Sequence, residues 1–188
     1  MKPITAPLFI KMENTVIVLD ELVSLGGGGS KTAYRYNDDY VLMLPSESNY
    51  SEYWDQVVVT EIEFSQFLSS IGLLNLEHVL VKLPDYGISA YLSRSFESLT
   101  RPGSGVIDIK GDGTWRDRLF PSDSIEDVLD FDRWKDILSE FYDDLAKVIA
   151  YRLPMSGDSF NLLIRDGKVR YFGFDLDQVF HIKTIAEV

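Results

Sequence analysis

Residues 25–34 read LGGGGSKTAY, and four glycines in a row constrain this chain more than any other feature. A backbone without Cβ atoms is poorly suited to a helix or a packed strand interior, so the chain must turn, link or approach something closely there. The flanks narrow the choice. TVIVLDELVSL before the glycines is strand-like, and KTAYRY and YVLMLP after them read as two strands joined by the turn Asn37-Asp38-Asp39. A linker separates finished units and sits among other linker residues. This stretch interrupts what reads as one sheet. Three readings stay open: a linker, a plain structural turn, and a loop built from Gly26, Gly27, Gly28, Gly29 and Ser30. In the last, N–H groups face anionic oxygens while Lys31 reaches back as a point charge for phosphate.

Bulk properties exclude several function classes. The 188 residues carry 18 Lys and Arg against 30 Asp and Glu, a net charge of −12. Nucleic acid and anionic membranes are therefore disfavoured as partners, because phosphate backbones need clustered basic residues. There is no Cys, so no disulfide, thiolate zinc site or cysteine nucleophile. The two histidines, His78 and His181, lie far apart and form no metal-ligand motif. The N-terminal stretch MKPITAPLFIKMENTVIVLDELV has no secretory h-region, and no apolar run reaches the ~18 residues of a membrane span.

Further along, YWDQVVVTEIEFSQFLSSIGL places Val58, Ile62, Phe64, Phe67, Leu68 and Ile71 at helical spacing, with Gly72 as the stop. HVLVKLP and ISAYLSRSF read as two strands around the turn Asp85-Tyr86-Gly87. Residues 100–121 look like a linker with a small hairpin, VIDI-KGDG-TWRD. A long helical pattern runs from Ser124 to about Leu153 with Trp134, Leu138, Phe141, Leu145, Val148 and Ile149 on one face. Residues 123–144 hold nine Asp or Glu against two Lys or Arg, a pattern expected of the wet face of an amphipathic helix. Trp134, Phe141 and Tyr142 read as packing residues. The segment SGDSFNLLIRDGKVRYFGFDLDQ follows as loop, short strand, the turn Asp166-Gly167 and second strand.

That last segment places Asp158, Asn161 and Asp175 around a strand–turn–strand. Magnesium-dependent phosphoryl transfer needs such a set: one carboxylate to orient the acceptor hydroxyl, and an Asn and a later Asp as hard oxygen ligands to magnesium on nucleotide phosphates. The bland alternative is a surface hairpin with ordinary turn aspartates. With the glycine stretch at the other end, the chain resembles the protein-kinase fold over about residues 20–180. LGGGGSKTAY looks like the kinase glycine loop, TEIEF like the middle of helix C, SGDSFNLLI like the catalytic loop and GFDLD like the DFG segment. The resemblance implies an α+β, two-lobed fold with a truncated C-terminal lobe: an N-terminal lobe over residues 1–98 and a minimal C-terminal lobe over residues 99–188. It also implies Glu61, or alternatively Glu63, as the partner of the nucleotide lysine. Asp158 becomes the catalytic base, Asn161 and Asp175 the metal ligands, and residues 92–96 the hinge that holds adenine.

The departures from the family are specific. Met43 stands in the strand where kinases carry the nucleotide lysine. Lys31 supplies a substitute, in a place similar to that of the with-no-lysine kinases. Asp158 and Asn161 are three residues apart, closer than in most kinases, and Ser156-Gly157 replaces the usual His-Arg. With no Arg beside the base, activity is expected not to await activation-segment phosphorylation. Gly173 and Asp177 are alternative matches to the metal position held by Asp175. Only residues 179–188 follow that segment, where kinases ordinarily continue much farther. This stripped form is similar to the small type III effector kinases of plant pathogens that phosphorylate the HSP90 chaperone. The implied function is a monomeric Ser/Thr protein kinase using ATP and Mg2+. It would be secreted by bacteria and act on a host protein in the host cytoplasm. The rivals are a pseudokinase, a kinase-fold AMP transferase and a small-molecule phosphotransferase.

Overall fold

The structure, a computed structural model, describes residues 3–46, 54–108, 119, 130–153 and 160–173. The chain is α+β and divides into two compact units. The first comprises Met1–Phe67 and Leu76–Ser98; the second comprises Leu68–Asn75 and Leu99–Val188.

The first unit is built on a seven-stranded antiparallel sheet. Its strands are β1 (Leu8–Met12), β2 (Thr15–Leu19), β3 (Ser24–Gly27), β4 (Lys31–Arg35), β5 (Tyr40–Pro45), β7 (His78–Leu83) and β8 (Ile88–Arg94), in the spatial order β2-β1-β7-β8-β5-β4-β3. The stretch TVIVLDELVSL is thus two strands, not one. The chain leaves β2 at Leu19 and re-enters the sheet as β3, while β2 folds back on a further strand, β1. Burial alternates along β1, with Leu8 and Ile10 inside and Phe9 and Lys11 outside, the period of a strand with one covered face. Leu8, Ile10, Leu42, Leu44, Val81, Leu83, Ala90 and Leu92 make one core cluster on one side of the sheet. The turn between β4 and β5 closes as its residue types require: Asn37 Oδ1 accepts from the backbone N–H of Asp39 and Tyr40 at 2.9 and 2.8 Å.

Helix α1 (Trp54–Ser70) lies on the opposite face. Its inward stripe is Trp54, Val58, Glu61, Ser65 and Leu68, alternating four and three residues apart, as a helix side against a flat surface requires. Of the apolar residues whose spacing marks the helix, Val58 and Leu68 are buried, whereas Ile62, Phe64, Phe67 and Ile71 are half-exposed. A carboxylate and a hydroxyl take the central places. The first turn of α1 is pinned to β8: Trp54 Nε1 donates to Ser89 O at 2.7 Å, and Ser89 N donates to Asp55 Oδ1 at 2.9 Å. Gly72 stops the helix at φ 76, with Leu73 N donating to Leu68 O at 2.9 Å.

The second unit holds a four-stranded sheet in the order β6-β11-β10-β9, formed by β6 (Leu74–Asn75), β9 (Val106–Asp108), β10 (Phe160–Arg165) and β11 (Lys168–Gly173). Among the described residues Val106–Asp108 pairs antiparallel with β10; TWRD, its expected hairpin partner, falls within residues 109–118, which lie outside the described part. A short helix, α2 (Phe96–Thr100), precedes it. The long helical pattern is two helices, α3 (Phe131–Ile137) and α4 (Ser139–Ala150), separated at Leu138; residues 124–129 are not described. Asp130 caps α3 by accepting from Asp132 N and Arg133 N at 3.0 and 3.2 Å. Ile137, Ile164, Val169 and Leu119 form one core cluster, with Trp134, Leu138 and Phe141 packed on it. Ile149, expected on the apolar face, and Tyr142, expected to be a packing residue, are corrections, since both are exposed, at 66% and 57%.

The acidic run is also not simply a wet face. Asp144 is 1% exposed. It accepts from Arg170 Nε and Nη2 at 2.7 and 3.1 Å and from Tyr171 N at 3.2 Å. Arg170 also pairs with Glu140 at 3.0 Å and donates to Gly72 O at 3.2 Å. The bidentate carboxylate, followed by Glu140, holds the guanidinium above its ordinary value against the opposing effect of burial.

Candidate functional site

The glycine stretch is a hairpin tip joining β3 to β4 within one sheet, so it links strands and not domains. Gly28 N donates to Lys31 O at 2.8 Å. Ser46, just past β5, ties the tip down: its Oγ donates to Gly29 O at 2.8 Å and its N–H to Ser30 O at 3.1 Å. Gly26 sits at a register shift with φ 144, a conformation that side chains with a Cβ rarely adopt. A Cβ at Gly27 would fall 2.8 Å from Thr32 Oγ1, whereas at Gly28 or Gly29 it would meet nothing within 4 Å. The tip is anchored on one side and open on the other.

Lys31 opens β4 directly after this tip. It lies opposite Pro45, and Ala33 lies opposite Met43. Directly opposed side chains share a face, and alternate residues return to it. Lys31 and Met43 therefore project from the same side of the sheet. That side carries α1, since Met43 packs on Trp54, Val58 and Tyr91. One strand over from Met43, Lys31 reaches the helix: its Nζ donates to Glu61 Oε1 at 2.7 Å, with the side chains 15% and 2% exposed. Glu63 is exposed and faces away.

A second basic group faces Glu61. His78, the first residue of β7, puts Nε2 3.6 Å from Glu61 Oε2, and its side chain is 4% exposed. Burial alone would raise the Glu61 carboxyl. The His78 N–H and the charge and hydrogen bond of Lys31 more than offset it, and Glu61 is held below its ordinary 4.5. The arrangement therefore keeps an ionised carboxylate inside the fold. It presents an ammonium group, fixed in place, close in sequence to a solvent-exposed glycine turn.

The other expected site residues are placed as follows. Asn161 is the second residue of β10; its Nδ2 donates to Asp108 Oδ1 at 3.0 Å, and its Oδ1 accepts from Leu162 N at 2.9 Å. Gly173 ends β11, opposite Phe160 and beside Asn75. Asp158, Asp175 and Asp177 lie outside the described residues. Of residues 92–96, the first three continue β8 and Phe96 begins α2. Among the described residues, no three His, Cys, Asp or Glu side chains come together as a metal cluster, and no helix is long and apolar enough to cross a membrane. Sequence reasoning missed His78 and Asp108 as partners of site residues. The available signal for His78 was a lone imidazole opening an apolar strand, HVLVKL. Asp108 closes a strand only three residues long, too short to give a pattern.

No family model matches the chain, and no curated protein matches it. Among solved structures, it is similar to the Helicobacter pylori proinflammatory kinase CtkA, with 15% identity and a TM-score of 0.44 over 84% of this chain and 57% of that one. It is also similar to the aminoglycoside phosphotransferase APH(2'')-Ib with ADP bound, at 13% identity and a TM-score of 0.34. A third is the streptomycin–ATP complex of APH(2'')-IIa, at 13% identity and a TM-score of 0.32. Each of these two alignments covers 84% of this chain and 65% of the other. The chain thus matches less than two thirds of the length of each.

Proposed function

We propose that this chain is a phosphotransferase of the kinase type that takes ATP with Mg2+ and passes the γ-phosphate to a hydroxyl. The observation that carries the proposal is the buried Lys31–Glu61 pair at the foot of an open glycine turn. Phosphoryl transfer asks little covalent chemistry of a protein; it asks for positioned positive charge and donors around the phosphates. Lys31 supplies the charge. Glu61 keeps it at one place, and the unobstructed backbone at Gly28 and Gly29 lets phosphate oxygens approach closely. In this reading Lys31 takes over from the position occupied by Met43, which the shared sheet face makes possible.

Asp158 orients the acceptor hydroxyl, and Asn161 and Asp175 hold magnesium, roles that rest on the resemblance of SGDSFNLLI and GFDLD to kinase segments. Asn161 and the Asp108 carboxylate beside it are hard oxygen donors of the kind magnesium takes. A magnesium ion held there would neutralise phosphate charge. The acceptor we propose is a Ser or Thr of a host protein, with the HSP90 chaperone as the candidate. The chain would be a secreted bacterial effector acting in the host cytoplasm as a monomer, without nucleic acid or membrane partners. The variant motifs support that finer reading: Lys31 in place of a lysine at Met43, and Asp158 and Asn161 only three residues apart.

The test is label transfer from ATP and Mg2+ to host lysate and to purified HSP90, run beside Lys31→Ala and Asp158→Ala. We expect γ-label on protein Ser or Thr, lost in both variants. Transfer of α-label would make the chain an AMP transferase. Label on an aminoglycoside but on no protein would make it a small-molecule enzyme. Nucleotide binding with no transfer at all would make it a pseudokinase.

A further inference from the structure

Glu61 has two oxygens and two basic neighbours, and only one neighbour belongs to the site as proposed. Oε1 takes Lys31 from β4; Oε2 faces His78 from β7 at 3.6 Å. The His78 ring is enclosed, lying against Tyr91 of β8 with centroids 4.9 Å apart at 57°. Its Nδ1 is buried and has no hydrogen-bond partner among the described residues. A neutral imidazole carries one N–H and one bare nitrogen. A proton on Nε2 faces a carboxylate, whereas a proton on Nδ1 faces no acceptor among the described residues, so the geometry favours the Nε2-protonated tautomer of the neutral ring. An unmatched buried Nδ1 is a standing cost, and such atoms call for an explanation. Here the other end of the ring supplies it.

We infer that His78 is a positioning residue: it holds Glu61 Oε2 so that Oε1 stays aimed at Lys31. A carboxylate gripped at one oxygen can swing about its terminal torsion. With Lys31 bonded to Oε1 and His78 Nε2 3.6 Å from Oε2, longer than a direct hydrogen bond, it cannot swing without losing the bond or the approach. The charged and titratable groups at this point are Lys31 on β4, Glu61 on α1, His78 on β7 and Tyr91 on β8. The effect on turnover rests on the phosphotransferase reading; the grip itself does not.

The test uses the nucleotide-free full chain first. Nitrogen NMR of His78 should show Nε2 protonated, and an Nδ1-protonated ring would overturn the inference whatever any variant does. The Glu61 carboxyl carbon is then titrated in wild type, His78→Leu and His78→Gln. We expect the Glu61 midpoint to rise in His78→Leu, and to rise less in His78→Gln, which keeps a side-chain N–H. Unchanged titration in His78→Leu overturns the inference. With ATP, His78→Leu should raise KM about tenfold, and His78→Gln should recover most of that. If both variants lose activity equally while melting as wild type does, positioning by an N–H donor is overturned. If Glu61 moves as expected but wild type neither binds nor turns over nucleotide, the grip stands and the phosphotransferase reading falls.

Discussion

Glu61 occupies a place on α1 where spacing calls for an apolar side chain, between Val58 and Ser65 on the covered stripe. A buried carboxylate is tolerated when opposite charge and donors surround it, and removing a partner leaves the penalty uncompensated. Lys31→Met should therefore affect stability and activity together. Phosphoryl transfer should drop by about 100-fold or more, and urea unfolding should show a loss of about 1–3 kcal/mol. Transfer at the wild-type rate would contradict the role of Lys31. Because Glu61 is held below 4.5 in the folded chain, the folded state binds its proton less readily than the unfolded state does. The stabilisation is complete above the unfolded value and is lost as pH falls through the folded one. Urea midpoints measured downward from pH 5 should fall more steeply for wild type than for Glu61→Gln. Parallel curves would mean that Glu61 is not held ionised.

Among the elements, α1 and the pair β7–β8 were legible because their apolar-rich runs have helix and strand lengths and are bounded by Gly72 and by Asp85-Tyr86-Gly87. The β1–β2 hairpin was not, because Glu13 turns the chain at φ 45 without a glycine to mark it. The break at Leu138 was equally hidden: no Gly or Pro stands there, and both helices keep their apolar residues in phase. Asp144 looked like one more solvated acid because its partner, Arg170, comes 26 residues later on another element. That pair makes an element-level prediction. Asp144→Ala, which removes the buried acceptor of Arg170 and leaves it Glu140 and Gly72 O, should cost about 1–3 kcal/mol in urea unfolding. Exposed Asp143→Ala should stay within about 0.5 kcal/mol. Equal effects of the two would show that the buried network does not hold the second unit together.

Across the whole molecule, the order of glycine turn, strands, helix and strands was legible because each piece carries its own local pattern. The site was legible in part. Lys31 and Glu61 stand out because a lysine after a glycine run and a glutamate in a helix can be matched by residue type alone. His78 did not, since its approach to Glu61 exists only once β7 lies beside α1, a non-local fact. The claim joining these pieces is that a chain of net charge −12 keeps one built cationic point for nucleotide phosphates, at Lys31. Calorimetric titration of Mg–ATP into wild type and Lys31→Met tests it most directly. Saturable binding by wild type, weakened about tenfold or more in the variant, is the predicted result. Binding of equal strength in both, or in neither, would contradict it.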